Sequence, residues 1–134
     1  MNILGVDPGR AKTGLAVIDG DGHILWRAIL APTELGARLP RMVEEQSVSL
    51  IALGDSTSSR AARAAIEAAL PHIGVRVVDE SGSTLEARAL YWADHPRAGW
   101  RALVPLSLQE PPEPIDDYAA AVVARRALSV ATRS

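Results

Sequence analysis

Apolar and polar positions fall into blocks along this chain, and the period of the blocks changes. Ile3-Leu4-Gly5-Val6 and Thr13-Gly14-Leu15-Ala16-Val17-Ile18 are short runs rich in Val, Ile and Leu on either side of a Pro8-Gly9 turn. They predict two adjacent antiparallel strands. Asp19-Gly20-Asp21-Gly22 is a strong hairpin signal and leads into a third strand from His23 to Leu30. A helix follows from about Thr33 to Gln46, with Thr33 placed after Pro32 as its cap, although Gly36 and Pro40 interrupt it. Leu50-Ile51-Ala52-Leu53 is a continuous apolar run, the signature of a strand buried on both faces. The Ala-rich stretch Arg60 to Leu70 then predicts a helix able to lie close on a sheet, and Val75 to Val78 the next strand. Strand, helix and strand together make a parallel crossover.

In the C-terminal part, Ser83-Thr84-Leu85-Glu86 reads as a capping box, opening a helix that runs to about Trp92. From His95 to Pro114 there are five prolines, which predict a loop, ordered in part by packing of Trp100 and Leu103. The last helix starts near Ile115, with Ile115, Ala119, Val122 and Val123 at helical spacing.

Composition narrows the class. With 134 residues, no internal repeat and no second composition block, the chain reads as one domain over 1–134. It has no cysteine, which leaves carboxylate and imidazole as metal ligands and fits a cytoplasmic protein. The chain opens directly on a strand, so no signal peptide is expected, and no segment approaches the roughly 20 apolar residues of a membrane span. A net charge of −2 gives no general attraction to nucleic acid. Thirteen of the fourteen basic residues are Arg, however, with Lys12 the sole Lys, and Arg is the better bidentate partner for phosphate.

The candidate chemistry is acidic. Asp7 closes the first strand, Asp79 and Glu80 follow the strand ending at Val78, and Asp116 and Asp117 open the last helix. Carboxylates at the edges of three elements suggest a divalent metal. Each also has a plain structural role: Asp-Pro-Gly is turn chemistry, and acidic residues in a first turn favour the helix dipole. Of Asp116 and Asp117 only one can face a shared site, because adjacent helical positions point about 100° apart. Glu86 is accounted for by capping with Ser83. The stretch Gly54 to Arg60 offers backbone donors and hydroxyls to a phosphate, with Ser59 as a helix cap the competing role. Arg10, Lys12, Ser59 and Arg60 are the candidate contacts to a nucleic acid backbone. His23, His72 and His95 share no metal-ligand spacing and read as surface residues; Tyr91, Trp92 and Trp100 either stack on bases or fill the core.

Leu4-Gly5-Val6-Asp7-Pro8-Gly9, continuing to Thr13-Gly14-Leu15-Ala16-Val17, resembles the opening motif of the YqgF/RuvX family and of RuvC-type Holliday junction resolvases. Val78-Asp79-Glu80 with Ser83-Thr84-Leu85-Glu86-Ala87, and Ile115-Asp116-Asp117-Tyr118 with the alanines after it, resemble two further stretches of YqgF proteins. The resemblance spans nearly the whole chain. It implies an α/β, ribonuclease H-like fold, a mixed five-stranded sheet of a three-strand antiparallel meander plus parallel strands, flanked by helices. It further implies a nuclease site in which Asp7, Glu80 and Asp116 hold Mg²⁺ or Mn²⁺ and hydrolyse phosphodiester bonds. The substrate class would be RNA or DNA: the 5′ end of precursor 16S ribosomal RNA, or branched and single-stranded DNA. A homodimer is expected where branched DNA must be cut on two strands. Glu113 is a candidate fourth carboxylate, because RuvC-type enzymes carry an acidic or His residue three positions before the helix Asp. Leu53-Gly54-Asp55-Ser56-Thr57-Ser58-Ser59-Arg60 departs from the short YqgF proteins and is similar to a loop in the YqgF-like domain of the transcription accessory protein Tex. The alternative this raises is a non-catalytic nucleic-acid-binding module of the same fold. An actin-like or sugar-kinase-like phosphotransferase would need paired domains for which the chain is too short.

Overall fold

A computed structural model describes residues 1–96 and 111–133. The strands are β1 (Asn2–Pro8), β2 (Thr13–Ile18), β3 (Ile24–Leu30), β4 (Val48–Gly54) and β5 (Gly74–Val78). The helices are α1 (Leu35–Glu45), preceded by a 3₁₀ turn over Pro32–Glu34, then α2 (Ser59–Ala69), α3 (Ser83–Asp94) and α4 (Asp116–Arg133). The five strands form one sheet in the order β3-β2-β1-β4-β5. β1 and β3 run antiparallel to β2, while β4 is parallel to both β1 and β5. This is the mixed sheet with a meander that the sequence predicts, and it is the ribonuclease H-like fold.

Strand alternation divides the core in two. Leu4, Val6, Leu15, Val17, Ile51 and Leu53 point to one face, where they meet Leu35, Leu39 and Met42 of α1 and Ala62 and Ile66 of α2. Ile3, Ile18 and Ala52 point to the other face and meet Val123, Ala124 and Ala127 of α4. The second face is lined by small residues. A Cβ on Gly5 would run into the Ala120 carbonyl of α4, and one on Gly14 into that of Asp116. The helix backbone therefore lies directly on the strands, closer than side chains would allow. On its outer side α4 packs against α3 through Ala87, Tyr91, Trp92, Tyr118 and Val122. Tyr91 and Trp92 are buried, so of their two readings they fill the core rather than stack on bases. Trp100 and Leu103 lie outside the described residues.

Three local expectations are corrected. Thr33 is not a side-chain cap: the chain enters α1 through the 3₁₀ turn, with Ala31 and then Glu34 at the cap positions and no capping side chain at either. The capping box at Ser83 and Glu86 does not form. Gly82 takes the cap position in a left-handed conformation (φ 74°), and the Glu86 carboxylate instead accepts from Arg126 of α4 at 2.8 Å. An ion pair to a neighbouring helix has displaced the local bond. At α2 the cap position is Ser58, again with no side-chain bond, so Ser59 does not cap the helix. Among the described residues, no helix is long and apolar enough to cross a membrane.

Candidate metal centre

β1 lies at the middle of the sheet, and the carboxyl ends of β1, β4 and β5 share one edge with the first residues of β2. In open α/β sheets this edge is where ligands bind. Asp7 is the penultimate residue of β1, and by alternation its side chain falls on the α4 face with Ile3 and Gly5. Its antiparallel partner is Gly14. The space a side chain would take at Gly14 is filled by the Asp116 backbone at the first turn of α4. On the β4 side the strand ends in Gly54, and the space above that residue is filled by the Glu80 carboxylate. Two glycines on neighbouring strands therefore make room for two acidic residues beside a third.

The three groups interact. The Asp7 carboxyl is pushed up to about 8, first by burial, then by a proton shared with Glu80 and by the negative charges of Glu80 and Asp116. Glu80 Oε2 is buried and has no hydrogen-bond partner among the described residues. A buried carboxylate oxygen without a donor is costly, and a second carboxyl held protonated beside it marks a site short of positive charge. The donor set is all hard oxygen, which suits Mg²⁺ or Mn²⁺.

The neighbouring acids are turned elsewhere. Asp79 is exposed, and its carboxylate accepts from the Ser81 amide at 2.9 Å, which holds its carboxyl below the usual range. Asp117 is buried and paired with Arg27 of β3 at 2.8 Å. The Arg27 guanidinium also lies 4.3 Å over the ring of Tyr118, whose hydroxyl donates to Asp94 at 3.0 Å. This network grips the first turn of α4 from β3, on the side away from Asp7. Glu113 is exposed and accepts from the Tyr91 hydroxyl at 3.3 Å. The separation of Asp116 from Asp117, which the helical angle requires, is seen in Asp117 being taken by Arg27 while the charge of Asp116 acts on Asp7.

Arg10 and Lys12 sit exposed on the β1–β2 turn, and Arg60 is exposed in the first turn of α2; none makes an ion pair to a described residue. Ser59 is half-buried, its amide donating to the Ser56 carbonyl at 3.0 Å. The loop itself is tied to β1 by the Ser56 hydroxyl, which donates to the Pro8 carbonyl at 2.8 Å. His23 and His72 are exposed as expected, and exposed His95 stacks on Tyr91 at 4.2 Å between ring centres. Sequence reasoning missed Gly14, Gly54 and Arg27. The signal for the glycines was present: each lies on a strand beside Asp7, where a β-rich run would otherwise carry a side chain.

Among the described residues, the acidic group whose ligand atoms all lie within 4.8 Å of one another is Asp19, Asp21 and His23 at the β2–β3 turn, not Asp7, Glu80 and Asp116. The Asp19 carboxylate is engaged by the turn, since Oδ1 accepts from the amides of Asp21 and His23, both at 2.9 Å. A groove of about 650 Å³ runs between β3 and α3 past Arg27, Asp94 and Arg125, away from Asp7.

Comparison with solved structures finds Thermus thermophilus RuvC in complex with a Holliday junction substrate, with a TM-score of 0.67 and 18% identity over 98% of this chain and 96% of that one. The Fowlpox virus resolvase in complex with Holliday junction DNA gives a TM-score of 0.59 and 10% identity, covering 98% and 99%. At such identities the likeness establishes the shared fold. No match is found among curated proteins. The description of the Tex protein YqgF-like domain matches residues 1–96, from β1 past the end of α3. The chain belongs to the family of Tex protein YqgF-like domains.

Proposed function

We propose that this chain is a divalent-metal-dependent nuclease, a single cytoplasmic domain that hydrolyses phosphodiester bonds with Asp7, Glu80 and Asp116 as its metal ligands. The observation that carries this reading is a strand-end Asp7 approached by Glu80 and Asp116 from two other elements, its carboxyl pushed up to about 8, with Glu80 Oε2 buried and without a hydrogen-bond partner among the described residues. Such a cluster is a poor surface for a phosphate on its own and a good one once a cation neutralises it. Bound Mg²⁺ or Mn²⁺ would supply an activated water and neutralise charge at the leaving oxygen. The residues of the chain do the rest. Asp7 releases its proton when a cation replaces it, Gly14 and Gly54 keep Asp116 and Glu80 within reach, and Arg10, Lys12 and Arg60 hold the flanking backbone phosphates. Ser59 adds a hydroxyl beside Arg60.

Branched DNA is the first substrate to test, because two structural neighbours are bound to Holliday junctions; precursor ribosomal RNA is the second. Concerted cutting of a junction would call for two copies of the chain. The test is cleavage of labelled single-stranded RNA, single-stranded DNA and a four-way DNA junction, with Mg²⁺, Mn²⁺ or chelator, by wild type and Asp7→Asn. Metal-dependent cutting that Asp7→Asn loses supports the reading. Binding without cutting by either protein replaces it with a binding module, the role toward which the Tex-like loop Gly54–Arg60 leans.

A further inference from the structure

Behind Asp7, on the opposite face of the sheet, is a cavity of about 360 Å³ that the metal site does not use. Its floor is buried Pro8, Leu35 and Ala62, and its walls are Pro32, Ala61 and Ala65. Arg10 and Thr57, both exposed, stand at its rim. The cavity is at the low end of the size range for preformed small-ligand sites and suits one flat, mostly apolar body. It is built of fixed parts: the Ser56 hydroxyl ties the loop before α2 to the Pro8 carbonyl.

Its position ties it to the carboxylates. Asp7 and Pro8 are consecutive strand residues, about 3.8 Å apart at Cα, whose side chains leave on opposite faces. A ligand that crosses the end of β1 therefore meets the acidic group on one side and the apolar cavity on the other. Arg10, without an ion pair to any described residue, lies at the crossing. The combination is an apolar slot, a free cation at its lip and a phosphate-directed site next door. It matches the two halves of a nucleotide, a flat base and a charged backbone. A paired base is stacked in a duplex and cannot enter; an extruded or unpaired base can, held between apolar side chains.

We propose that this cavity receives an unpaired nucleobase of the strand whose phosphate meets the carboxylates, an inference that rests on the nuclease reading above. It makes the preferred substrate a strand with at least one unstacked nucleotide beside the scissile bond, and it makes α2 a specificity element.

The experiment measures binding, so that cutting does not enter. Wild-type protein in Ca²⁺ buffer, which supplies a hard cation without the octahedral Mg²⁺ geometry, is titrated with fluorescein-labelled DNA carrying one unpaired nucleotide, the same DNA with an abasic unit at that position, and a fully paired duplex. Stacking of one base is worth about a tenfold change in Kd, so the unpaired base should bind about tenfold tighter than the abasic unit. Ala61→Leu and Ala65→Leu, made separately, fill the slot from exposed and half-buried positions with a good helix former, and either should erase that difference while duplex binding persists. Equal binding of base and abasic DNA by the unfilled protein overturns the inference and leaves the nuclease reading standing; this comparison needs no folded cavity variant. A preference that survives in both folded leucine variants also overturns it. Failure to bind any of the three DNAs counts against the nuclease reading itself, and the inference falls with it.

Discussion

Two acidic clusters on one small fold reach opposite electrostatic states. At the β2–β3 turn, Asp19 faces amides and water; its carboxyl is held below the usual range, first by the His23 amide. At the end of β1, Asp7 faces buried space and two further carboxylates, and its carboxyl rises to about 8. The residue type is the same. The difference lies in which groups the backbone offers: the turn points N–H groups at its carboxylate, while the strand end, with α4 pressed onto Gly5 and Gly14, surrounds its carboxylate with other acids. A cluster whose charges are already satisfied locally is a structural device. One whose charges are unsatisfied until a cation arrives is a candidate site.

The largest effect that would break this comparison is on activity. Asp7→Asn is expected to lower metal-dependent cleavage by at least ~10²-fold, whereas Asp19→Asn leaves the rate within error, both read from initial rates on the preferred substrate. The next is on stability and pH. The Asp7 pKa is about 8 when folded against an ordinary carboxyl value of 3.8, so the folded state binds the extra proton. Its contribution is fully present below pH 4 and is lost as pH rises toward 8. Metal-free wild type should therefore lose stability across that window, and Asp7→Asn should remove this slope and raise stability at pH 8 by roughly 1–2 kcal/mol once solvent screening is allowed for. Asp19 has the reverse sign. Its lowered pKa adds stability above the ordinary carboxylate pKa that disappears only on acidification, so Asp19→Asn should leave the slope between pH 4 and 8 unchanged. Thermal melts in chelator over a pH series read both.

Smaller effects sharpen the account of how the strand-end cluster is built. Gly14→Ala would push on the Asp116 backbone and should cost about 1–3 kcal/mol. Gly54→Ala meets only the Glu80 carboxylate, a movable group, and should weaken Mn²⁺ binding with less loss of stability. Arg27→Met, which frees buried Asp117 beside Asp116, should cost about 1–2 kcal/mol in denaturant melts. Arg126→Met, at the pair with exposed Glu86, should cost under about 1 kcal/mol.

The fold was legible because it is written in periodicities. Two strands around a Pro-Gly turn, a buried apolar run and an Ala-rich crossover leave few topologies once right-handed connections are required. The strand-end acids stand out in the sequence because each closes, follows or opens an element; their role as a site is the proposal. What was not legible depends on partners distant in sequence. Nothing local to Ser83 and Glu86 announces that Arg126, forty residues beyond Glu86, takes the Glu86 carboxylate, and a capping box is the rational reading without it. Pairing of Arg27 with Asp117 spans ninety positions. Leu53–Arg60 pointed to the Tex-type branch, and the Tex protein YqgF-like match over residues 1–96 agrees with it. That match stops before Asp116, so the third acid rests on the resemblance of the last helix and on the packing of α4 over Gly14.

The central claim is that the carboxylates at the end of β1, and not those of the turn, are waiting for a cation. Calorimetric titration of Mn²⁺ into wild type, Asp7→Asn and Asp19→Asn at pH 7 tests it most directly. The account predicts binding to wild type and to Asp19→Asn, with a proton released as the cation displaces it from Asp7, and a loss of at least ~10-fold in affinity for Asp7→Asn. Binding that survives in Asp7→Asn and disappears in Asp19→Asn would contradict it.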